Sequence, residues 1–356
     1  MNARRRPLIS ATAVAGACTL ALSALTACGS GDSGTTEDGK LAVVASFYPM
    51  EFLAEEIGGE HVAVSTLTGP GVDPHDLVIS PRQTAELTEA GLVVYVEGLQ
   101  PAVDEAVKQS GVEHVVEASE LAEQAPRPEG GTETHGAPAE EEHGHEGEDD
   151  HGHEGDHGHE GDHGHEGEDE GDSHDGHDGH DHGGLDPHVW LDPVQYAAVA
   201  EGVGEALAEA DPDHAADYRK NADDLVAELG ELDTAFEEGL SNPETNTFIT
   251  SHAAFGHLAA RYGLDQEAIA GISPDEEPSG ARMKDLHAVA ERESVTTVFF
   301  ETNASDGTVQ ALATDLNLET DVLDPLEGIT DASRGDDYLE VMRANLTALQ
   351  KALGTA

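Results

Sequence analysis

The sequence predicts an α/β protein of two similar domains, each a parallel sheet flanked by helices, joined by one long rigid helix. Two observations carry this. Short, Val-rich apolar runs alternate with segments of helical spacing, once before residue 125 and again after residue 245. Between the two series lies an amphipathic pattern of about thirty residues with apolar positions three and four apart.

The chain opens with "MNARRRP", whose Arg4, Arg5 and Arg6 precede an apolar run from Leu8 to Leu25. Residues 1–27 therefore read as a secretion signal. A transmembrane anchor is the competing reading, because the run approaches the length that spans a bilayer. "LTAC", Leu25 to Cys28, decides for the signal, since it resembles a bacterial lipobox with Cys28 as the lipidated residue. Residues 28–39, rich in Gly and Ser, form a flexible tether. The mature chain is thus expected on the extracellular face of the bacterial cytoplasmic membrane, held by acyl chains. The other cysteine, Cys18, lies in the signal, so the folded part has no disulfide or thiolate site, and any metal must be held by nitrogen and oxygen.

Residues 40–210 hold the first lobe. Lys40 to Phe47 is a buried strand, "YPMEFLAEEIGG" a helix, and His61 to Leu67 a strand. "SPRQTAELTEA" is a helix with Ser80 as its N-cap and Pro81 at the first position. Gly91 to Gly98 is a strand, "PAVDEAVKQS" a helix and "EHVVEAS" a strand. Continuous apolar strands between helices indicate a parallel sheet covered on both faces.

Residues 128–183 interrupt this lobe with a tract in which "HGHEG" recurs at His143, His151, His157 and His163. Glycine and like charge leave nothing to bury, so the tract reads as a disordered insertion. Its imidazoles, among them His143, His145, His151, His153, His157, His159, His163 and His165, are candidates for accessory metal binding. The net charge of −58 argues against a nucleic-acid partner and favours cations.

After the tract, "PVQYAAVAEGVGEALAEAD" is a helix, and residues 211–241 form the long linking helix, with Ala215, Tyr218, Ala222, Leu225, Leu229, Leu232 and Phe236 on one face. Residues 242–356 repeat the alternation. "NTFIT", "EAIAGI", "VTTVFFE" and "ETDVLD" are strands, and "AAFGHLAARYG", "SGARMKDLHAVAERES", "ASDGTVQALATDLN" and "DDYLEVMRANLTALQKAL" are helices.

Four polar residues stand out against this frame. His75 lies in "GVDPHD", His188 in "LDPHVWLDP", His252 in "FITSHAAFG" and Asp324 in "ETDVLDPLEG". Three of them fall where predicted strands end, the edge at which open parallel sheets bind ligands. The fold class is completed by a metal site in the interdomain cleft, with His75 and His188 from one lobe and His252 and Asp324 from the other. Three imidazoles and a carboxylate suit zinc, whereas manganese prefers more oxygen. By spacing alone each residue has another reading. A lone histidine after a strand also serves as a cap, Asp324 before Pro325 is a common turn element, and the repeated "DPH" is compatible with coincidence. His61, His114, His214, His257 and His287 read as surface or packing residues.

"GVDPHDLVISPRQ", "DPHVWLDP", "FITSHAAFGHLAARYGL", "GISPDEEPS" and "LDPLEG", with "SFYPM" near the start, together resemble the zinc-uptake solute-binding proteins of bacterial ABC transporters, the ZnuA-like metal-binding family. The resemblance runs from Lys40 onward. It implies two α/β lobes joined by a rigid helix, a monomer, and ligands at His75, His188 and His252, with Asp324 at the position of the carboxylate or water as the fourth ligand. Relatives that prefer manganese often carry Glu where this chain has His252, which favours zinc. The zinc members carry a His-rich acidic loop before the second ligand histidine, where this chain has its tract. A membrane permease and an ATPase are the implied partners.

The sequence thus points to a zinc-capturing binding protein, with the tract as an accessory that collects the ion. The alternatives are a manganese or other divalent-metal binder of the same family, a surface adhesin or metal buffer acting through the tract, and a zinc enzyme with Asp324 as base. The last lacks an HExxH or comparable hydrolase signature.

Overall fold

A computed structural model describes residues 34–127, 186–302 and 307–355. The expected signal, Cys28, the first half of the tether and the whole histidine tract lie outside the described residues.

Two four-stranded sheets form the frame, and both are wholly parallel. The first contains β1 (Leu41–Ala45), β2 (Val62–Thr66), β3 (Leu92–Tyr95) and β4 (Val115–Glu117), ordered β2-β1-β3-β4. The second contains β5 (Thr247–Thr250), β6 (Asp265–Ala268), β7 (Thr297–Phe300) and β8 (Glu319–Val322), ordered β6-β5-β7-β8. The orders are the same once the strands are counted within each half, so the halves repeat one topology. Central strands β3 and β5 are buried along their whole length, as sheets covered on both faces require.

Helices α1 (Tyr48–Gly58), α2 (Pro81–Glu89), α3 (Pro101–Ser110), α4 (Ala118–Ala122) and α5 (Pro193–Ala210) accompany the first sheet. The predicted start of α2 is realised as a full capping box, with Ser80 and Gln83 satisfying each other's backbone N–H groups. The long helix α6 (Ala215–Gly239) follows. Its 25 residues extend about 37 Å. Tyr218, Ala222, Leu225, Leu229, Leu232 and Phe236 are buried on one face, while Ala215 is only partly covered. Helices α7 (Gly256–Tyr262), α8 (Gly280–Arg292), α9 (Gly307–Leu316) and α10 (Tyr338–Leu353) accompany the second sheet.

Helix α6 grips both halves. Asn221 Nδ2 donates to Ile57 O at 3.0 Å on one side. Asp233 accepts from Tyr262 Oη at 2.9 Å, and Gly239 O accepts from Gln350 Nε2 at 3.3 Å, on the other. It lies close against α5 because Gly204 has no side chain: a Cβ there would stand 2.6 Å from that of Ala222. One apolar core runs from β1 and β3 through α5 and α6 to α10. Trp190, fully buried, crosses between the halves by donating from Nε1 to Pro325 O at 2.8 Å.

Two elements differ from the sequence reading. The strand expected at "EAIAGI" is instead β6, three of whose four residues are polar and not fully buried, as suits a sheet edge. Ile269 and Ala270 follow it, paired to Thr250 O and Ser251 O. The end of "EHVVEAS" turns into the short helix α4, because Glu117 accepts from the N–H groups of Ser119 and Glu120 and caps a new start.

Candidate metal centre

Four aspartate–proline pairs build the ground on which the site stands. In Asp73-Pro74-His75, Asp186-Pro187-His188, Asp192-Pro193-Val194 and Asp324-Pro325-Leu326, the Asp Oδ1 accepts from the backbone N–H two residues on, at 2.8, 3.0, 2.9 and 2.9 Å. Each is an Asx turn with proline fixing its centre. The repeated "DPH" is thus one local device used twice to present a histidine.

His75 sits on the loop after β2, His188 five residues before the start of α5, and His252 two residues past β5. The fold brings all three together with Glu327, from the segment after β8. The four donor atoms lie within 4.8 Å of one another. The ring centroids of His188 and His252 are 5.4 Å apart, those of His75 and His188 5.6 Å, and those of His75 and His252 6.1 Å. The three Nε2 atoms surround one oxygen: Glu327 Oε1 is 3.2 Å from His75, 3.5 Å from His188 and 3.2 Å from His252.

Asp324 is not part of this group, contrary to the sequence expectation. Its Oδ1 is committed to Leu326 N and its Oδ2 accepts from Thr302 at 3.2 Å, while its backbone pairs both ways with the Asn345 side chain. Leu326 holds a left-handed φ of 57°, so the turn fixed by Asp324 bends the chain sharply before Glu327. Asp324 therefore shapes the loop, and the carboxylate that meets the histidines is three residues further on. Asp324 Oδ1 closes its own Asp-Pro-Leu turn, as the Oδ1 atoms of Asp73, Asp186 and Asp192 close theirs.

Nitrogen Nε2 faces the centre because Nδ1 is occupied elsewhere. His188 Nδ1 donates to Asp186 Oδ1 at 2.7 Å, and His252 Nδ1 to Glu301 Oε1 at 2.5 Å. Ser251 also donates to Glu301. Such carboxylate–imidazole pairs fix ring orientation and tautomer. Sequence reasoning missed both carboxylates; the "LDPH" repeat could have revealed Asp186, but nothing local marks Glu301. It also read His257 as a packing residue, whereas His257 bonds Asp186 O and the Gln195 side chain.

The electrostatics are those of interlocked charges. Burial alone would push the His252 imidazole down, but the charge of Glu301, with Glu327 behind it, carries it up to about 10. Burial likewise opposes the charge on His188, and Asp186 and Glu327 outweigh it and raise it. Glu327 would be pushed up by burial; the three imidazoles hold it well below its ordinary range. Asp324, by contrast, is raised by burial.

Yet Nε2 of His188 and of His252 are buried and make no hydrogen bond. Two orphaned buried nitrogens and a carboxylate oxygen at 3.2–3.5 Å are poor hydrogen bonding, and donors this close can share one cation. Four donors at about 2.0–2.1 Å from a tetrahedral zinc stand about 3.3–3.4 Å from one another.

Comparison with known proteins identifies the family. The chain is 34% identical over 333 residues to the high-affinity zinc uptake system protein ZnuA of Bacillus subtilis, covering 92% of this chain and 93% of that one. It is 33% identical over 317 residues to the zinc-binding lipoprotein AdcA of Streptococcus pneumoniae, covering 88% of this chain but only 56% of AdcA. The chain thus spans little more than half of that relative. Among solved structures, the Zn(II)-bound ZnuA-like domain of Streptococcus pneumoniae AdcA superposes with a TM-score of 0.64 at 29% identity, covering 88% of this chain and 99% of that domain. The model of the ZnuA family, zinc-uptake complex component A, periplasmic, matches residues 43–352, and the chain belongs to that family.

Proposed function

We propose that this protein is the extracytoplasmic zinc-binding component of an ABC metal importer. It captures Zn2+ in the cleft and hands it to a membrane permease driven by a cytoplasmic ATPase. In this reading His75, His188, His252 and Glu327 are the ligands. The observation that carries it is the convergence of three Nε2 atoms on Glu327 Oε1 at 3.2–3.5 Å, with all four donors within 4.8 Å of one another.

Zinc is favoured over manganese because the group offers three nitrogens and one carboxylate, where manganese prefers oxygen-rich sites. Capture rather than catalysis fits four protein donors, since a catalytic zinc keeps one position for water or substrate. Residues 40–210 and 242–356 form the two lobes, with 211–241 between them. Cys28 carries the lipid anchor, which accords with the lipoprotein relative. Among the described residues no helix is long and apolar enough to cross a membrane.

Titration of the metal-free full chain with zinc against a chromophoric chelator tests the reading. One tight site per chain, lost in His252→Ala and in Glu327→Ala, is the expected result. Tight binding that survives both substitutions would remove the reading's chemical basis.

A further inference from the structure

The histidine between the two halves is aimed from the far side. His188 leads into α5 of the first half, but the residue that orients it, Asp186, is held by α7 of the second. Two contacts do this, and a third fixes the proton of the first. His257 Nε2 donates to Asp186 O at 2.9 Å. That proton position is fixed in turn, because Gln195 Nε2 lies 3.1 Å from His257 Nδ1 and donates to it. At Gly256 the Asp186 carboxylate comes so close that an added Cβ would be 2.6 Å from its Oδ2. On the other side the same carboxylate accepts from both the backbone N–H and Nδ1 of His188, at 3.0 and 2.7 Å. Asp186 thus sits between α7 and His188 with no slack on either side.

We propose that Gly256 and His257 are positioning residues for metal binding: they hold Asp186 where it orients His188, and so make the His188 arm of the site depend on contact between the two halves. The inference rests on the proposed role of His188 as a ligand. His252 differs, because its partner Glu301 lies in the same half.

The test uses the full chain with Zn2+ for affinity and Co2+ as a spectroscopic probe of ligand geometry. His257→Ala and Gly256→Ala are each expected to weaken zinc binding about 10- to 100-fold, the range for loss of an outer partner of a metal-bound imidazole. Both should shift the ligand-field absorption of the Co2+ form. His257→Gln, whose amide can donate to Asp186 O, should recover part of the affinity and the native spectrum. Thermal unfolding of each metal-free variant separates folding defects from site defects. Wild-type affinity in both variants overturns the inference, and so does weaker binding with an unchanged Co2+ spectrum. Failure of the underlying reading looks different: there the wild-type chain itself lacks a tight site that His188→Ala removes.

Discussion

Glu327 Oε1 lies 3.2 Å from His252 Nε2, and that buried nitrogen has no hydrogen bond. The residues are far apart in sequence, one past β5 and the other past β8, and the second sheet brings them together. A cation bound between the two takes both as ligands and displaces the imidazole's proton.

The first prediction separates the two acidic residues of the "LDPLEG" segment. Glu327→Ala should lower zinc affinity by more than the roughly 10–100-fold that loss of an outer hydrogen bond brings. Asp324→Ala should instead destabilise the fold by about 1–3 kcal/mol, because Leu326 N–H and Thr302 lose a buried acceptor. Thermal unfolding and chelator competition on both variants check this. A greater affinity loss in Asp324→Ala than in Glu327→Ala would reverse the assignment.

The second prediction concerns protons. With His252 held up to about 10, that imidazole carries a proton at neutral pH in the metal-free form. Zinc must displace it, so affinity should rise with pH and binding should release about one proton per ion. Calorimetry in buffers of different ionisation enthalpy measures this number. Stability of the metal-free form runs the other way. The His252 contribution is full below the ordinary value of 6.5 and is lost as pH rises toward about 10. Glu327, held low, contributes above its ordinary 4.5 and loses that contribution as pH falls below it. The zinc-induced rise in Tm should therefore grow between about pH 6 and 8. A rise in Tm that is flat across that window contradicts the account.

The third prediction is that Glu301→Gln weakens zinc binding by about 10- to 100-fold while leaving the ligand count unchanged. The amide keeps the shape but cannot serve His252 Nδ1 as a charged acceptor. Wild-type affinity in this variant would show that the 2.5 Å contact is incidental to the site.

The fourth concerns the histidine tract. Deleting residues 133–183 should leave a single tight site and remove only weaker, additional zinc equivalents. The tract offers many similar imidazole and carboxylate donors, whereas the cleft already gathers its four donors before an ion arrives. Loss of all tight binding on deletion would make the tract the principal site.

Much of this was legible in the sequence, for reasons that can be named. The alternation of "KLAVVASF", "HVAVSTL" and "GLVVYVEG" with helical spacings marks strands buried on both faces, and Tyr218 to Phe236 mark one face of a helix by their spacing. His75, His188 and His252 stood out because each follows a turn or strand end. β6 escaped because an edge strand need not be apolar, and its "DQEA" carries no such run. Glu327 escaped because Asp324 seemed the better placed carboxylate, and only the fold shows that its oxygens are already committed to Leu326 N–H and Thr302. Glu301 and Gly256 act through partners distant in the chain, which no local pattern encodes.

The central claim is that three imidazoles and one carboxylate, gathered from both halves, enclose a single zinc ion. X-ray absorption at the zinc edge on the full chain loaded with one equivalent tests it most directly. The account predicts four light-atom ligands at about 2.0–2.1 Å with the outer-shell scattering of three imidazoles, reduced to two in His75→Ala, His188→Ala or His252→Ala. A spectrum that none of these three substitutions alters would contradict it.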